Sequence, residues 1–307
     1  MRLTASNPAP TPGATSGPPP SGAPAAAGGP IRLALQLGRG GLSLTVALAS
    51  ACGALLAGGT DQTLTAFVGV LLLAAGCSAL NQFQERDLDR LCVRTCGRPL
   101  PSGALRPATV LILSILLLAG GFVVLGRAAP DYRCVALALA AVVLYNGVYT
   151  PLKRRSTLAL LPGAVAGALP PLIGAAAAGT IPPAAVVLAG TILVWQMPHS
   201  WLVQLRNRDD CERLALPAFC LVLSTGQLRR LVFLGCAAFA ALPPVLLLVV
   251  HGHPHPGLSA GALALAVVLT AAGIPLLGKG ESAALYRRLE VLLRLSLLVL
   301  LASVALA

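Results

Sequence analysis

Charge is scarce in this sequence. Only 10% of its 307 residues are Asp, Glu, Lys or Arg, where a soluble domain carries about a quarter. Hydrophobic residues make up 56% and the mean hydropathy is +0.83. A soluble globular domain is thereby excluded, and an all-α, polytopic integral membrane protein is predicted. Acids are scarcer still: ten stand against 22 Lys and Arg, for a net charge of +12. The basic excess does not imply nucleic acid, because it falls in alternate loops between apolar runs, as a membrane topology signal does. The glycine-rich phosphate cradle of a P-loop is absent, which excludes that type of ATPase. Eight cysteines show neither a disulfide framework nor zinc spacing, and Cys92 and Cys96, four apart, read as reduced thiols. Residues 1–30 hold Pro, Ala, Gly, Ser and Thr with a single arginine. They lack both the apolar stretch of a signal peptide and the basic density of a transit sequence. A disordered tail over 1–30 and one membrane domain over 31–307 are expected, in a bacterial plasma membrane.

What is present is a series of apolar runs about twenty residues long. They lie near 36–58, 63–84, 107–126, 133–151, 158–178, 183–204, 228–250, 258–277 and 286–306. Nine spans are therefore predicted. Basic residues occupy the second loop (Arg86, Arg90, Arg94, Arg98, Arg106), the fourth (Lys153, Arg154, Arg155), the sixth (Arg206, Arg208, Arg213, Arg229, Arg230) and the eighth (Lys279, with Arg287 and Arg288 beyond). The intervening loops hold only Arg127 and Arg133. This alternation predicts that the N-terminus and all four basic loops face the cytoplasm.

The acids are as uneven. Six of the ten lie in two places, Glu85, Asp87 and Asp89 after the second run and Asp209, Asp210 and Glu212 after the sixth. If the second helix continues past its apolar run, Asn81, Glu85 and Asp89 share one face, with Asp87 nearly opposite. That face offers only oxygen, which hard cations such as Mg2+ prefer. The alternative is a juxtamembrane segment of Glu/Asp–Arg pairs. Arg94, Arg98, Lys153, Arg154, Arg206 and Arg208 lie close by in the sequence. Carboxylate, divalent cation and arginine together are what a diphosphate leaving group requires.

Asn81-x-x-x-Glu85-x-x-x-Asp89 resembles the first aspartate-rich motif of the UbiA superfamily of intramembrane prenyltransferases. Arg94-Thr-x-x-Arg98-Pro-Leu-x-x-Gly103 resembles its haem-farnesylating branch. So do Tyr149-Thr-Pro-Leu-Lys153-Arg-Arg-Ser, Gly163-x-x-x-Gly167-Ala-Leu-Pro-Pro171-Leu-Ile-Gly174 and Trp195-Gln-Met-Pro198-His199-Ser-Trp201 with Asp209-Asp210. The resemblance covers roughly residues 40–305. It implies a bundle of about nine helices around a central cavity, and transfer of farnesyl from farnesyl diphosphate to a vinyl group of haem b. It also implies that Asn81, Glu85, Asp89, Asp209 and Asp210 bind Mg2+ and diphosphate, with Asp87 beside them in the catalytic motif. Arg94, Arg98, Lys153 and Arg154 would hold the diphosphate, and Trp195, His199 and Tyr149 the substrates. The bilayer, and haem A synthase or an oxidase assembly partner, are the implied associates. Glu85 stands where the pattern has Asp; Ser200 and Cys211 replace Phe and Tyr of the second motif.

Other residues have two readings. His199 could ligate haem iron or position the porphyrin, or instead hydrogen-bond a neighbouring helix. Tyr149, Asn146 and Gln196 could line the cavity or join helices. The pair Gly163 and Gly167 reads as close packing, Glu290 and Arg294 as a structural pair, and His251, His253 and His255 as a solvated turn. The same fold acting on an aromatic quinone precursor is the alternative enzyme. A transporter or non-catalytic haem-handling protein is the alternative of another class, although no internal repeat is present and the ionisable residues gather at one face.

Overall fold

The computed structural model describes residues 29–128, 131–251, 256–278 and 283–306. The expected tail lies outside them as far as residue 28, as do His253, His255 and Lys279. The chain folds as α1 (Pro30–Leu37), α2 (Gly40–Leu56), α3 (Thr60–Leu91), α4 (Pro107–Ala128), α5 (Arg133–Val142) and α6 (Thr150–Leu152). It continues through α7 (Leu160–Ala168), α8 (Pro170–Ala177), α9 (Pro183–Arg206), α10 (Arg208–Arg213), α11 (Phe219–Val222), α12 (Thr225–His251), α13 (Pro256–Gly273) and α14 (Ala283–Ala305). No strand occurs among the described residues. Among the described residues six helical segments are long and apolar enough to cross a membrane, or seven when α1 and α2, bent by 64°, count as one. The apolar runs predict nine. The remaining two are the short apolar stretch Ala264–Leu277 and α14, which carries Arg287, Arg288, Glu290 and Arg294. The protein is an all-α, multi-pass membrane protein.

The breaks between helices follow local chemistry. At the end of α2, Gly58 takes φ +75° and the Gly59 N–H closes on Ala54 O at 2.9 Å. At the end of α8, Gly179 takes φ +92° and the Thr180 N–H closes on Ala175 O at 3.3 Å. Both are left-handed glycine caps that satisfy orphan carbonyls. Between α5 and α6 the helix widens into a π turn over Val143–Tyr149, a device that re-aims side chains.

Lipid is as apolar as leucine, so helices here associate through close packing and polar contacts rather than by escaping water. Glycines let α2 and α8 cross closely. A Cβ on Gly53 would lie 1.9 Å from Pro171 O, and one on Gly174 would lie 1.8 Å from Ser50 O. Ile112, Ile115, Leu116 and Val123 of α4 are all more than half exposed, the lipid-facing side of that span. One packed cluster joins Leu202, Phe239 and Leu293 from α9, α12 and α14. A second joins Val70, Leu125 and Ile173 from α3, α4 and α8. A small third cluster, Leu37, Ala79, Leu100 and Val110, pins the loop after α3 against α1 and α4.

Candidate active site at the end of α3

Helix α3 runs for 32 residues, past its apolar run. Asn81, Glu85 and Asp89 consequently stack one turn apart and are all buried, at 0%, 3% and 4% exposure. Asp87 stands apart: its side chain is 70% exposed and 3.8 Å from Arg86. The three buried groups each meet a different element. Asn81 Nδ2 donates to Thr150 Oγ1 at 3.0 Å, and that hydroxyl donates to Tyr145 O at 2.8 Å. Glu85 Oε2 is 2.5 Å from Lys153 Nζ. Asp89 Oδ2 is 2.6 Å from Arg98 Nη1. The π turn makes the first two contacts possible, because it delivers Tyr145, Tyr149, Thr150 and Lys153 to the α3 face. The Tyr145 and Tyr149 rings stack at 5.5 Å, and Lys153 Nζ lies 5.0 Å over the Tyr149 ring.

The loop after α3 holds Arg98 in place. Thr95 Oγ1 donates to Asp89 O at 3.0 Å, and Leu100 is buried beside Leu37 and Ala79. Arg-Pro-Leu is thus a lever: the leucine anchors and the arginine reaches the acid. Burial holds the Arg98 guanidinium below its ordinary pKa; Arg39 pushes the same way and Asp89 opposes it.

Arg39 was not foreseen from the sequence. It lies at the α1–α2 bend in the left-handed region, φ 48° and ψ 55°, where few residues other than glycine settle. Its Nη1 donates to Tyr145 OH at 3.2 Å, and its charge interacts with Glu85 and Asp89. Gln82, wholly buried, holds the bend by donating from Nε2 to Gln36 O at 3.0 Å and Leu37 O at 2.8 Å. The available signal was a lone charge, Gly38-Arg39-Gly40, inside the first apolar run.

Of the second acidic cluster, only Asp210 joins this region. Its Oδ1 accepts from Arg213 Nη2 at 2.8 Å and from the Val93 N–H at 3.4 Å. Asp209 is exposed. Arg94 is exposed, and Arg154 is exposed and donates to Gln84 O at 2.9 Å. Trp195 and His199 lie on α9, stacked with ring centroids 4.7 Å apart, and Trp195 Nε1 donates to Leu293 O at 2.7 Å. Gly163 and Gly167 pack closely: a Cβ on the first would lie 2.8 Å from the Tyr149 ring, and on the second 2.3 Å from Gln196 Oε1.

Two oxygens on the α3 face are left over. Asn81 Oδ1 and Glu85 Oε1 are buried without a hydrogen-bond partner, although buried polar atoms almost always have one. Among the described residues no three His, Cys, Asp or Glu side chains converge on one point; Lys153 and Arg98 occupy the carboxylates instead. The donor set is nonetheless oxygen only, with spare acceptors, which fits a hard cation.

A buried row of oxygen-bearing side chains, Asn81, Glu85 and Asp89, thus meets Lys153 and Arg98 at one end of a multi-pass helical bundle. The profile of the UbiA prenyltransferase family matches residues 42–298, and the chain belongs to that family. A protoheme IX farnesyltransferase of Geobacter sulfurreducens is 48% identical over 191 residues, 60% of this chain and 69% of the relative. Another, of an Anaeromyxobacter species, is 39% identical over 271 residues, 86% of this chain and 90% of the relative. The fold matches a digeranylgeranylglyceryl phosphate synthase structure with TM-score 0.70 at 15% identity, covering 89% of this chain and 98% of that one. It also matches a UbiA homolog from Archaeoglobus fulgidus bound to GPP and Mg2+, with TM-score 0.64 at 15% identity, covering 88% and 99%.

Proposed function

We propose that this protein transfers the farnesyl group of farnesyl diphosphate to a vinyl group of haem b, with addition of water, giving haem O and diphosphate. The observation that carries the reading is the buried row Asn81, Glu85 and Asp89 with Lys153 and Arg98 fastened to its two acids. The relatives' names supply the acceptor.

In this reading Asn81, Glu85 and Asp89 would hold Mg2+, with Asp209 and Asp210 as the second acidic site. The chemistry Mg2+ supplies when bound is neutralisation of charge on the diphosphate oxygens. Lys153 and Arg98 exchange a carboxylate for the diphosphate, with Arg94 and Arg154 joining from the surface. Charge then builds on the leaving group beside fixed cations, which favours cleavage of the allylic C–O bond. Apolar helix walls exclude water, so the allylic cation meets the vinyl group rather than a stray nucleophile. Trp195, His199 and Tyr149 contact the substrates. Asp87, on the far side of α3, has no direct part.

The enzyme unit is residues 31–307. In this reading its N-terminus and this site face the cytoplasmic side of a bacterial plasma membrane, which the alternation of basic loops favours, and association with haem A synthase or an oxidase assembly factor would pass the product on. The test supplies membranes containing the protein with haem b, farnesyl diphosphate and Mg2+, and seeks the hydroxyethylfarnesyl adduct by mass spectrometry. Adduct that vanishes in Asp89→Ala supports the reading; diphosphate release only with an aromatic acceptor would replace haem b as substrate.

A further inference from the structure

A second group of charges lies between α9 and α14, and the diphosphate chemistry makes no use of it. Glu290 is 2% exposed and holds two arginines: Arg294 at 2.5 Å from its own helix, and Arg206 from the end of α9. A structural pair needs one arginine. Two guanidiniums on one buried carboxylate leave a net positive charge beside the bundle interior, which is costly unless something answers it. The Arg206 side chain is 28% exposed and that of Arg294 58%, so donors not taken by Glu290 remain open. His199 is stacked on Trp195, and its Nδ1 is buried without a hydrogen-bond partner.

We infer that Arg206 and Arg294, held by Glu290, are the subsite for the carboxylates of the acceptor. This rests on the haem-farnesylating reading. Haem b carries its two carboxylates at one edge and its vinyl groups away from that edge. Arginine is the residue suited to carboxylates, because its planar fork matches them. Arg206 precedes by four residues Asp210, which accepts from the Val93 N–H in the loop after Asp89. The carboxylate subsite therefore adjoins the diphosphate end of the bundle, and an acceptor anchored there keeps its vinyl edge free for the allylic carbon. Glu290 is a positioning residue in this arrangement.

The test uses the full chain in lipid nanodiscs and compares haem b with its dimethyl ester, which keeps iron and vinyl groups and loses both carboxylate charges. Binding is read as quenching of the two tryptophans, Trp195 and Trp201, so no turnover is needed. The ester should bind about tenfold or more weakly than haem b, the contribution of a charge-assisted hydrogen bond. Arg294→Gln should weaken haem b by a similar factor and leave the ester unchanged, and Arg294→Lys should recover part of the loss. In turnover, Arg294→Gln should raise KM for haem b while KM for farnesyl diphosphate stays within about twofold. Equal binding of acid and ester by the unaltered protein overturns the subsite, even should Arg294→Gln fail to fold. So does an Arg294→Gln loss that is the same for both ligands. Carboxylate-dependent binding without any haem O would uphold the subsite and sink the reaction instead.

Discussion

Lys153 Nζ lies 2.5 Å from Glu85 Oε2, joining the turn after α6 to the buried face of α3. Glu85 is 3% exposed, so removing its partner strands a carboxylate in a poorly solvated place. Lys153→Met should cost about 3 kcal/mol, the order seen for broken buried pairs. The double variant Glu85→Gln with Lys153→Met should regain much of that stability. Thermal unfolding in detergent measures the cycle. Additive losses would show that the two side chains do not interact. Both variants should lose prenyl transfer, because each lacks a group the diphosphate needs.

Asp89 and Asp87 are two residues apart and in opposite surroundings. One is 4% exposed and tied to Arg98; the other is 70% exposed at its side chain, on the far face. Asp89→Ala should lower product formation by at least about a hundredfold, as expected for a group acting on transition-state charge. Asp87→Ala should stay within about threefold, as for a surface change away from the site. Comparable losses in the two variants would mean that the α3 face is not what selects the catalytic acids.

Glycines at helix crossings supply a packing test with an internal control. Gly53→Ala and Gly174→Ala would each drive a methyl into a backbone carbonyl, at 1.9 and 1.8 Å. Each should lower stability by about 3 kcal/mol or prevent folding, at the upper end of overpacking costs. Gly190, on α9, has nothing within 4 Å of an added Cβ. Gly190→Ala should be neutral or stabilising by about 0.5 kcal/mol, since alanine is the better helix former. Equal behaviour at the three positions would refute the crossing of α2 on α8.

Gln82→Met keeps the size of the side chain but removes the donors that hold Gln36 O and Leu37 O. Leu37 O loses its partner and Gln36 O keeps only the Arg39 N–H at 3.4 Å, a cost of about 1–3 kcal/mol. The bend that holds Arg39 should relax, and Arg39 should leave Tyr145. The expected kinetic result is a higher KM for farnesyl diphosphate, as with Arg39→Gln itself. Wild-type kinetics in Gln82→Met alongside a defect in Arg39→Gln would free Arg39 from dependence on that bend.

Scarce charge, twenty-residue apolar runs and a four-residue spacing settled much of this protein without coordinates. A charged group in lipid is costly, so chains keep charges only where they are needed, and their positions become informative. The sequence alone therefore determined the multi-pass helical class, the acid row on α3, and six candidate cations, of which Lys153 and Arg98 meet that row. It could not assign partners. Which acid meets Lys153 and which meets Arg98 depends on a π turn and on where Leu100 is buried, neither of which has a local signature. Arg39 escaped notice because its place follows from a bend capped by Gln82, forty-three residues along the chain. By length and apolarity six helical segments, or seven with the bent pair, qualify as spans among the described residues; a count of nine also needs the short stretch Ala264–Leu277 and the charged α14. Helix periodicity is written residue by residue, whereas contacts between helices belong to the folded bundle, and only the tertiary structure could decide them.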